Sequence, residues 1–477
     1  MLKLFDSYTR KERAFRPLRK GRATIYGCGP TVYSSVHIGN LRTFLFYDLL
    51  RRFLEQSGLE VTQVMNITDV GHMLADADEG EDKMDVAARE RGQTPQEVAE
   101  FYTRQFFRDI ERLNFRRADV YPRASEHVPE MIRLIERLIE RGHAYKVRHE
   151  DGASSVYFDV STFAGYGKLS GNKIEDLNPG ARIEVRDEKR HPADFALWIH
   201  NPKHLMQWET PWGSGYPGWH VECSAMAIKY LGETVDIHAG GEDNRFPHHE
   251  CEIAQSECST GRGFVRCWLH VTHLLVDGEK MSKSKRNFYT LDDLLEKGHS
   301  ARAVRYLLLS SHYRQPFNFT LCGLDAAASA LDRLDTFADT LGRQSGQEKG
   351  VRANPAAAAK KAFVVAMNDD LNVPAALAAL FDYVRDANDR MAGGGLSRAE
   401  LSDAGKLLAT AGQVLGFTFG RSVGDEEVPS SVRILVERRE KARTEKSFAE
   451  ADRIRQELLE KGYEIEDTSE GPVIKRK

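Results

Sequence analysis

The sequence predicts an α/β protein: a parallel sheet with crossover helices, broken by an insertion and followed by helical domains. Three observations predict it. Residues 22–28 (Arg-Ala-Thr-Ile-Tyr-Gly-Cys) read as a short buried strand ending in a Gly-Cys-Gly-Pro turn. Leu41, Phe44, Leu45, Leu49, Leu50 and Phe53 then repeat at helical spacing across 40–57, and residues 61–67 form another β-rich run. Strand, glycine-rich turn, helix, strand is how a parallel sheet opens. Buried-strand character returns at residues 235–238 and 269–276, and from about 325 onward the chain is helical and rich in alanine.

The elements between these anchors follow in order. Residues 81–116 and 126–141 read as helices. Residues 150–220 change character, with short β-like stretches such as 155–160 among many Gly, Pro, Trp and His, as an insertion into a sheet domain would. The helical part is interrupted around 342–355 and at Gly393-Gly394-Gly395, and polar residues 420–431 read as a linker. One further helix over 432–461 and a short polar tail close the chain. The expected divisions are 1–121 and 216–268 for the two halves of the sheet domain, with 122–215 inserted between them. Then come 269–325, a helical bundle at 326–425 and a small domain at 426–477.

Composition narrows the class. A chain of 477 residues, 41% hydrophobic and 29% charged, is expected to form several soluble domains. No apolar run approaches the ~18 residues of a membrane span, and residues 1–20 lack a signal-peptide core. The expectation is a cytoplasmic protein without a membrane partner. Six cysteines are too few for a disulfide framework, so Cys28, Cys223, Cys251, Cys258, Cys267 and Cys322 divide between buried thiols and ligands. A net charge of −4 excludes indiscriminate coating of nucleic acid, while leaving room for a local basic patch.

Two segments carry phosphate-binding chemistry. His37-Ile38-Gly39-Asn40 lies where the first strand meets the first helix, and a helix start offers free N–H groups to a polyphosphate. Gly39 permits close backbone approach, and His37 can donate to phosphate oxygens. An ordinary helix start reads the same way. The second segment is more specific: a turn at Val276-Asp277-Gly278-Glu279, then Lys280-Met281-Ser282-Lys283-Ser284. Two lysines and two hydroxyls on a mobile loop can clamp a pyrophosphate leaving group, and chance gives this pentapeptide in only on the order of one chain in a thousand.

Metal-ligating residue types recur. His248 and Glu252 sit four apart on a helix beginning after Pro247, Cys28 ends the first strand, and Cys223 follows Trp219-His220-Val221-Glu222. Cys, Cys, His and Glu suit zinc. Spacing alone does not join them, and each thiol also reads as a core residue. Near the C-terminus, Phe448, Ala451, Ile454 and Leu458 repeat at helical spacing among Arg438, Arg439, Lys441, Arg443, Lys446, Arg453 and Arg455. A solvated amphipathic helix has the same pattern.

These segments together resemble the cysteinyl-tRNA synthetases, a family of class I aminoacyl-tRNA synthetases. The first two look like the paired signature motifs of the class. Residues 27–33, 217–226 and 246–250 are near matches to the cysteine-specific family, in which positions matching Cys28, Cys223, His248 and Glu252 bind zinc. Asp236-Ile237-His238-Ala239-Gly240-Gly241-Glu242-Asp243 resembles another family segment. The resemblance covers residue 4 to the C-terminus, most strongly at 24–43, 215–258, 269–320 and 432–468.

The resemblance implies a Rossmann-type catalytic domain with a connective insertion, a helical domain and a C-terminal anticodon-binding domain. It implies one Zn2+ per chain and Mg-ATP as substrate, with cysteine and tRNA(Cys) as the other partners, on an enzyme expected to be monomeric. Lys280, Lys283 and His37 would serve the pyrophosphate, Lys283 foremost. Gly29, His37, Gly39, Asn40, Gly240, Gly241 and Asp243 would hold ATP, and Trp219, His238 and Thr68 the amino acid. Arg443, Asp452 and Asp467 match positions that contact anticodon bases.

Departures are visible. Asn40 stands where the class motif has His, Lys285-Arg286 where it has Leu-Gly, and Ala239 where the family has Gly. Pro472-Val473-Ile474-Lys475 occupies the stretch where the family's tail carries a Trp. Zinc makes chemical sense beside this substrate, because shape alone separates cysteine from serine by only roughly 10–200-fold. A thiophilic ion binds a thiolate and neglects an alcohol. Two other readings share the pocket motifs: a ligase joining cysteine to an amino sugar, as in mycothiol synthesis, and a non-catalytic RNA-binding protein on a synthetase fold. Segment 432–468 opposes the first, and the intact lysine and ligand positions oppose the second.

Overall fold

Four short strands rich in β-branched residues form one parallel sheet, in the order Val265–Val271, Val235–Gly241, Arg22–Gly27, Glu60–Met65. This is a computed structural model; it describes residues 1–71, 82–172, 189–281, 287–344, 355–393, 395–420, 430–444, 447–468 and 471–476. The chain leaves Arg22–Gly27 through helix Ile38–Gln56 to the strand on one side, then returns much later to Val235–Gly241 on the other. That reversal is a topological switch point, and in open α/β sheets the ligand crevice opens there, beyond the carboxyl ends of the strands. Gly27, Cys28, Gly240 and Gly241 therefore arrive at one edge. Tyr26, His238 and Trp268 lie side by side across three strands.

Helix Ile38–Gln56 packs Leu41, Leu45, Leu50 and Phe53 into the main core. Helices Trp219–Leu231 and His248–Thr260 form part of a second core with Val128, Met131, Ile135 and Leu138 of helix Val128–Glu140. The inserted part is a four-stranded antiparallel sheet, Ala144–Arg148, Ser154–Phe158, Phe195–Ile199, Tyr216–Pro217. Its last strand leads directly into Trp219. No helix among the described residues is long and apolar enough to cross a membrane.

Four expectations need correction. Residues 81–116 are two helices, Lys83–Arg91 and Pro95–Arg112: Gly92 turns left-handed at φ 63°, and Thr94 with Glu97 caps the second. The run at 269–276 divides between strand Val265–Val271 of the central sheet and Leu274–Val276, which pairs with Glu279–Lys280 and Phe317–Phe319 instead. The single helix at 432–461 is two, Ser430–Thr444 and Phe448–Glu460. The tail forms an antiparallel pair, Tyr463–Thr468 with Gly471–Arg476.

The chain divides into two compact units, Met1–Phe419 and Gly420–Lys477. The second has its own small core of Val432, Leu435, Val436, Ile454, Leu458 and Ile465. Phe448 stays outside it, 64% exposed.

Candidate active site

The site begins with the helix start. His37 is the N-cap of Ile38–Gln56, and its Nδ1 accepts from the backbone N–H of Gly39 (3.1 Å) and Asn40 (3.3 Å). Asn40 closes the reciprocal capping box, its Oδ1 accepting from His37 N–H at 3.1 Å. Burial, partly opposed by Asp243, lowers the His37 pKa to about 4, so the ring is neutral and keeps Nε2–H as its donor. A side chain on Gly39 would press on Met281, so the lysine segment adjoins this helix start. Its far flank does too: Phe288 lies edge-on to His37 at 5.1 Å, and Ile38 N–H donates to Tyr289 O. Asp277 and Gly278, at φ 50° and 82°, make the tight hairpin that presents Lys280. Lys283 lies outside the described residues.

A cleft of about 460 Å³ opens beside that start. Its walls include Gly29, His37, Asn40, Thr68, Trp219, Gly241 and Asp243, with Cys28, Cys223 and His248 at one end. Gly29 is pinned by the backbone of Asn66, where any Cβ would collide, and its N–H donates to Asn66 Oδ1 at 2.9 Å. Gly240 and Gly241 are held as tightly, against His249 and Asp243. Thr68 donates its hydroxyl to Glu222 at 3.1 Å.

Cys28, Cys223, His248 and Glu252 each bring one ligand atom to within 4.8 Å of the others, and all four are buried. Helix geometry supplies half of this, since His248 Nε2 sits 3.1 Å from Glu252 Oε1 one turn on. The sheet edge supplies Cys28, and helix Trp219–Leu231 supplies Cys223. His248 has its Nδ1 against His220 Nδ1 at 2.8 Å and its ring stacked on Trp219 at 4.3 Å, which orients Nε2 inward. Burial pushes the Cys28 thiol up; Cys223 is raised further, first through its hydrogen bond with Cys28 and then by burial. Two sulfurs, one imidazole and one carboxylate facing each other fit a tetrahedral dication, whose charge would lower both thiols.

His238 is not on the cleft wall. It lies beneath Glu252, Nε2 to Oε2 at 2.9 Å, stacked on Trp268 at 4.5 Å. His249 completes this lower layer, with Nε2 3.2 Å from Cys28 Sγ and Nδ1 2.9 Å from His270. Cys28, His238, His249 and Glu252 make a second possible ligand set. Of the first set Cys28, Cys223 and His248 line the cleft, where a substrate could complete it; of the second only Cys28 does. Sequence reasoning missed His220, His249, Asn66 and Lys83; the His248-His249 pair was the one available signal.

In the second unit Arg443 is half-buried beside Glu440 at 3.8 Å and Asp452 is exposed. Asp467 pairs through its backbone with Pro472.

The family model for the tRNA synthetases class I (C) catalytic domain matches residues 14–329, and the DALR domain model matches 362–420. The cysteine–tRNA ligase of Chlorobaculum tepidum is 44% identical, covering 100% of this chain and 99% of that protein. This chain belongs to the cysteine–tRNA ligase family. Another member, from Thermus thermophilus, is 45% identical over 99% of this chain and 98% of its own length. The fold extends beyond the family: Mycobacterium tuberculosis methionyl-tRNA synthetase in complex with methionyl-adenylate superposes with a TM-score of 0.58 at 16% identity, covering 82% of this chain and 89% of that one.

Proposed function

We propose that the chain activates cysteine with Mg-ATP and transfers it to tRNA(Cys), working in the cytoplasm as a monomer with one Zn2+ held by Cys28, Cys223, His248 and Glu252. The observation that carries this reading is the convergence of those four ligand atoms, three of them on residues (Cys28, Cys223 and His248) that line the same cleft the capped helix start borders. A bound zinc ion supplies a soft Lewis acid that accepts the substrate sulfur as thiolate and neglects the hydroxyl of serine.

The remaining chemistry belongs to the chain's own residues. Cysteine's carboxylate oxygen attacks the α-phosphorus of ATP, the bond to the bridging oxygen breaks, and pyrophosphate leaves. Nε2–H of neutral His37 and the amide of Asn40 offer donors to the phosphate oxygens, while Lys280 and Lys283 take up the developing negative charge. Gly29, Gly39, Gly240 and Gly241 let the nucleotide approach the backbone, and Asp243 accepts from ribose hydroxyls. Trp219 walls the side-chain end, and Thr68 the amino-acid end. A hydroxyl of the terminal tRNA adenosine then attacks the activated carbonyl and AMP departs. Arg443, Asp452 and Asp467 read splayed anticodon bases.

Pyrophosphate exchange with cysteine and with serine, alongside zinc content and tRNA charging, tests this. Cysteine-dependent exchange lost together with the zinc at the cleft in Cys223→Ser is the expected result. Exchange that survives in that variant with serine still rejected overturns the metal assignment. Exchange without tRNA charging points to the amino-sugar ligase.

A further inference from the structure

A second group of ligating side chains lies apart from the cleft set. Asp82, Asp85 and His204 each offer one ligand atom, all within 4.8 Å of one another. Asp82 and His204 are 4% exposed, and Asp85 is half-buried, which leaves an entry path. Asp82 Oδ2, Asp85 Oδ1 and His204 Nε2 are buried atoms that make no hydrogen bond among the described residues. Three unsatisfied polar atoms in one place are costly to bury without a partner.

The local structure assigns the other polar side-chain atoms of Asp82 and His204 a task. Asp82 is the N-cap of helix Lys83–Arg91, where Oδ1 accepts from Met84 N–H at 2.7 Å and Asp85 N–H at 3.0 Å. Only Oδ2 is left over. The His204 ring stacks on Tyr216 at 3.8 Å, and Nδ1 lies 2.6 Å from Met206 O. Met206 N–H also approaches Nδ1, at 3.1 Å, but a carbonyl only accepts, so the shorter contact places the hydrogen on Nδ1. Nε2 then presents a bare lone pair, the arrangement of a metal-ligating histidine fixed by a backbone carbonyl.

A protonated His204 is the competing account. Burial opposes it, yet Asp82 and neighbouring groups raise the His204 pKa overall. The Nε2–Oδ2 separation of 3.4 Å is nevertheless long for a charge-assisted bond, which runs at about 2.7–2.9 Å. One proton there also leaves Asp85 Oδ1 unserved. A dication satisfies all three.

We propose that Asp82, Asp85 and His204 hold a second divalent transition-metal ion, zinc by its donor set. One imidazole and two carboxylates suit zinc better than the all-oxygen shells of magnesium or calcium. The ion ties two parts of the cleft rim. Lys83, next to Asp82, lines the cleft with Tyr33, while His204 lies in the connection leading to strand Tyr216–Pro217 and hence to Trp219.

The test is zinc content of the full-length chain, expressed with zinc, stripped of loose metal on chelating resin and measured by plasma mass spectrometry. The wild type should retain two equivalents, and Asp85→Asn and His204→Gln one each. Cys223→Ser should also retain one, which adding Asp85→Asn removes. A single wild-type equivalent that persists in both Asp85→Asn and His204→Gln, or a metal-free Cys223→Ser chain, overturns the second site in favour of a plain Asp82–His204 ion pair. Zinc lost in Asp85→Asn but unchanged in Cys223→Ser overturns the cleft assignment instead. Because the Cys223→Ser chain reports on the second site with its residues intact, a fold defect in Asp85→Asn does not obscure the outcome.

Discussion

His37 does two jobs with two ring nitrogens. Nδ1 is spent on the helix start, and burial keeps the ring uncharged down to a pKa of about 4. Its contribution to phosphate binding is therefore a neutral N–H, constant from about pH 5.5 upward. Asn40, which lacks the charge available to a histidine, is matched to that role because its Oδ1 completes the cap. His37→Asn separates the two jobs, since Asn caps as well as any residue but is too short to replace Nε2–H. The variant should unfold within about 1 kcal/mol of wild type, while kcat/KM for ATP in pyrophosphate exchange falls on the order of 10–100-fold. A wild-type rate profile with an ionisation near the ordinary histidine value of about 6.5 that His37→Asn abolishes would contradict a neutral ring. This capping box was legible in His37-x-x-Asn40, although histidine is seldom read as a cap. The contact of His238 with Glu252 was not legible, because the two lie on a strand and a helix that meet only in the fold.

Helix Ile38–Gln56 owes its position to charges buried at its middle. Asp48 accepts from Arg52 Nε at 2.8 Å and from the fully buried Arg305, whose Nε donates to Leu415 O and Nη1 to Leu113 O, both at 2.7 Å. Three segments thus converge on one guanidinium. Removing one partner of a buried pair typically costs about 3–5 kcal/mol, so Asp48→Ala should lower the unfolding midpoint sharply, far more than any exposed-pair variant such as Asp382→Ala. Equal small shifts would show that Arg305 is held by the carbonyls alone. Helix Pro95–Arg112 carries the opposite kind of group. Burial and then Asp292 push Asp109 up to about 7. The unfolded carboxyl titrates near 4, so the native state binds the extra proton between these values and stability falls as pH rises from about 4 to 7. Asp109→Asn should match wild type near pH 4 and exceed it at pH 8 by on the order of 1–3 kcal/mol after allowance for screening. Thermal midpoints at the two pH values decide it. The break between the helices at Gly92 and Thr94 was written in the sequence as Gly92-Gln93-Thr94-Pro95-Gln96-Glu97, a glycine stop followed by a capping box.

At the scale of the whole chain, what could be read early was whatever is encoded within a few residues. The strand–turn–helix opening, the hairpin before Lys280 and the four-residue step from His248 to Glu252 are of this kind. The joining of Cys28 to Cys223 across 195 positions rested on resemblance, since a sheet edge and a helix meet only after the core forms. The C-terminal unit was misread as one helix and a tail for a related reason. Its core is small, and Tyr463 and Ile465 join it through a strand paired with the last segment of the chain. That unit has its own core. A chain ending at Phe419 should exchange pyrophosphate with cysteine at close to the full rate, because the cleft and its ligands all precede that residue. Its charging of tRNA should fall by about 100-fold or more, as three lost base contacts at roughly 1–3 kcal/mol each imply. Matching losses in both assays would mean that Gly420–Lys477 supports the catalytic unit itself rather than reading tRNA. Retained charging would remove Arg443, Asp452 and Asp467 from the recognition of the anticodon.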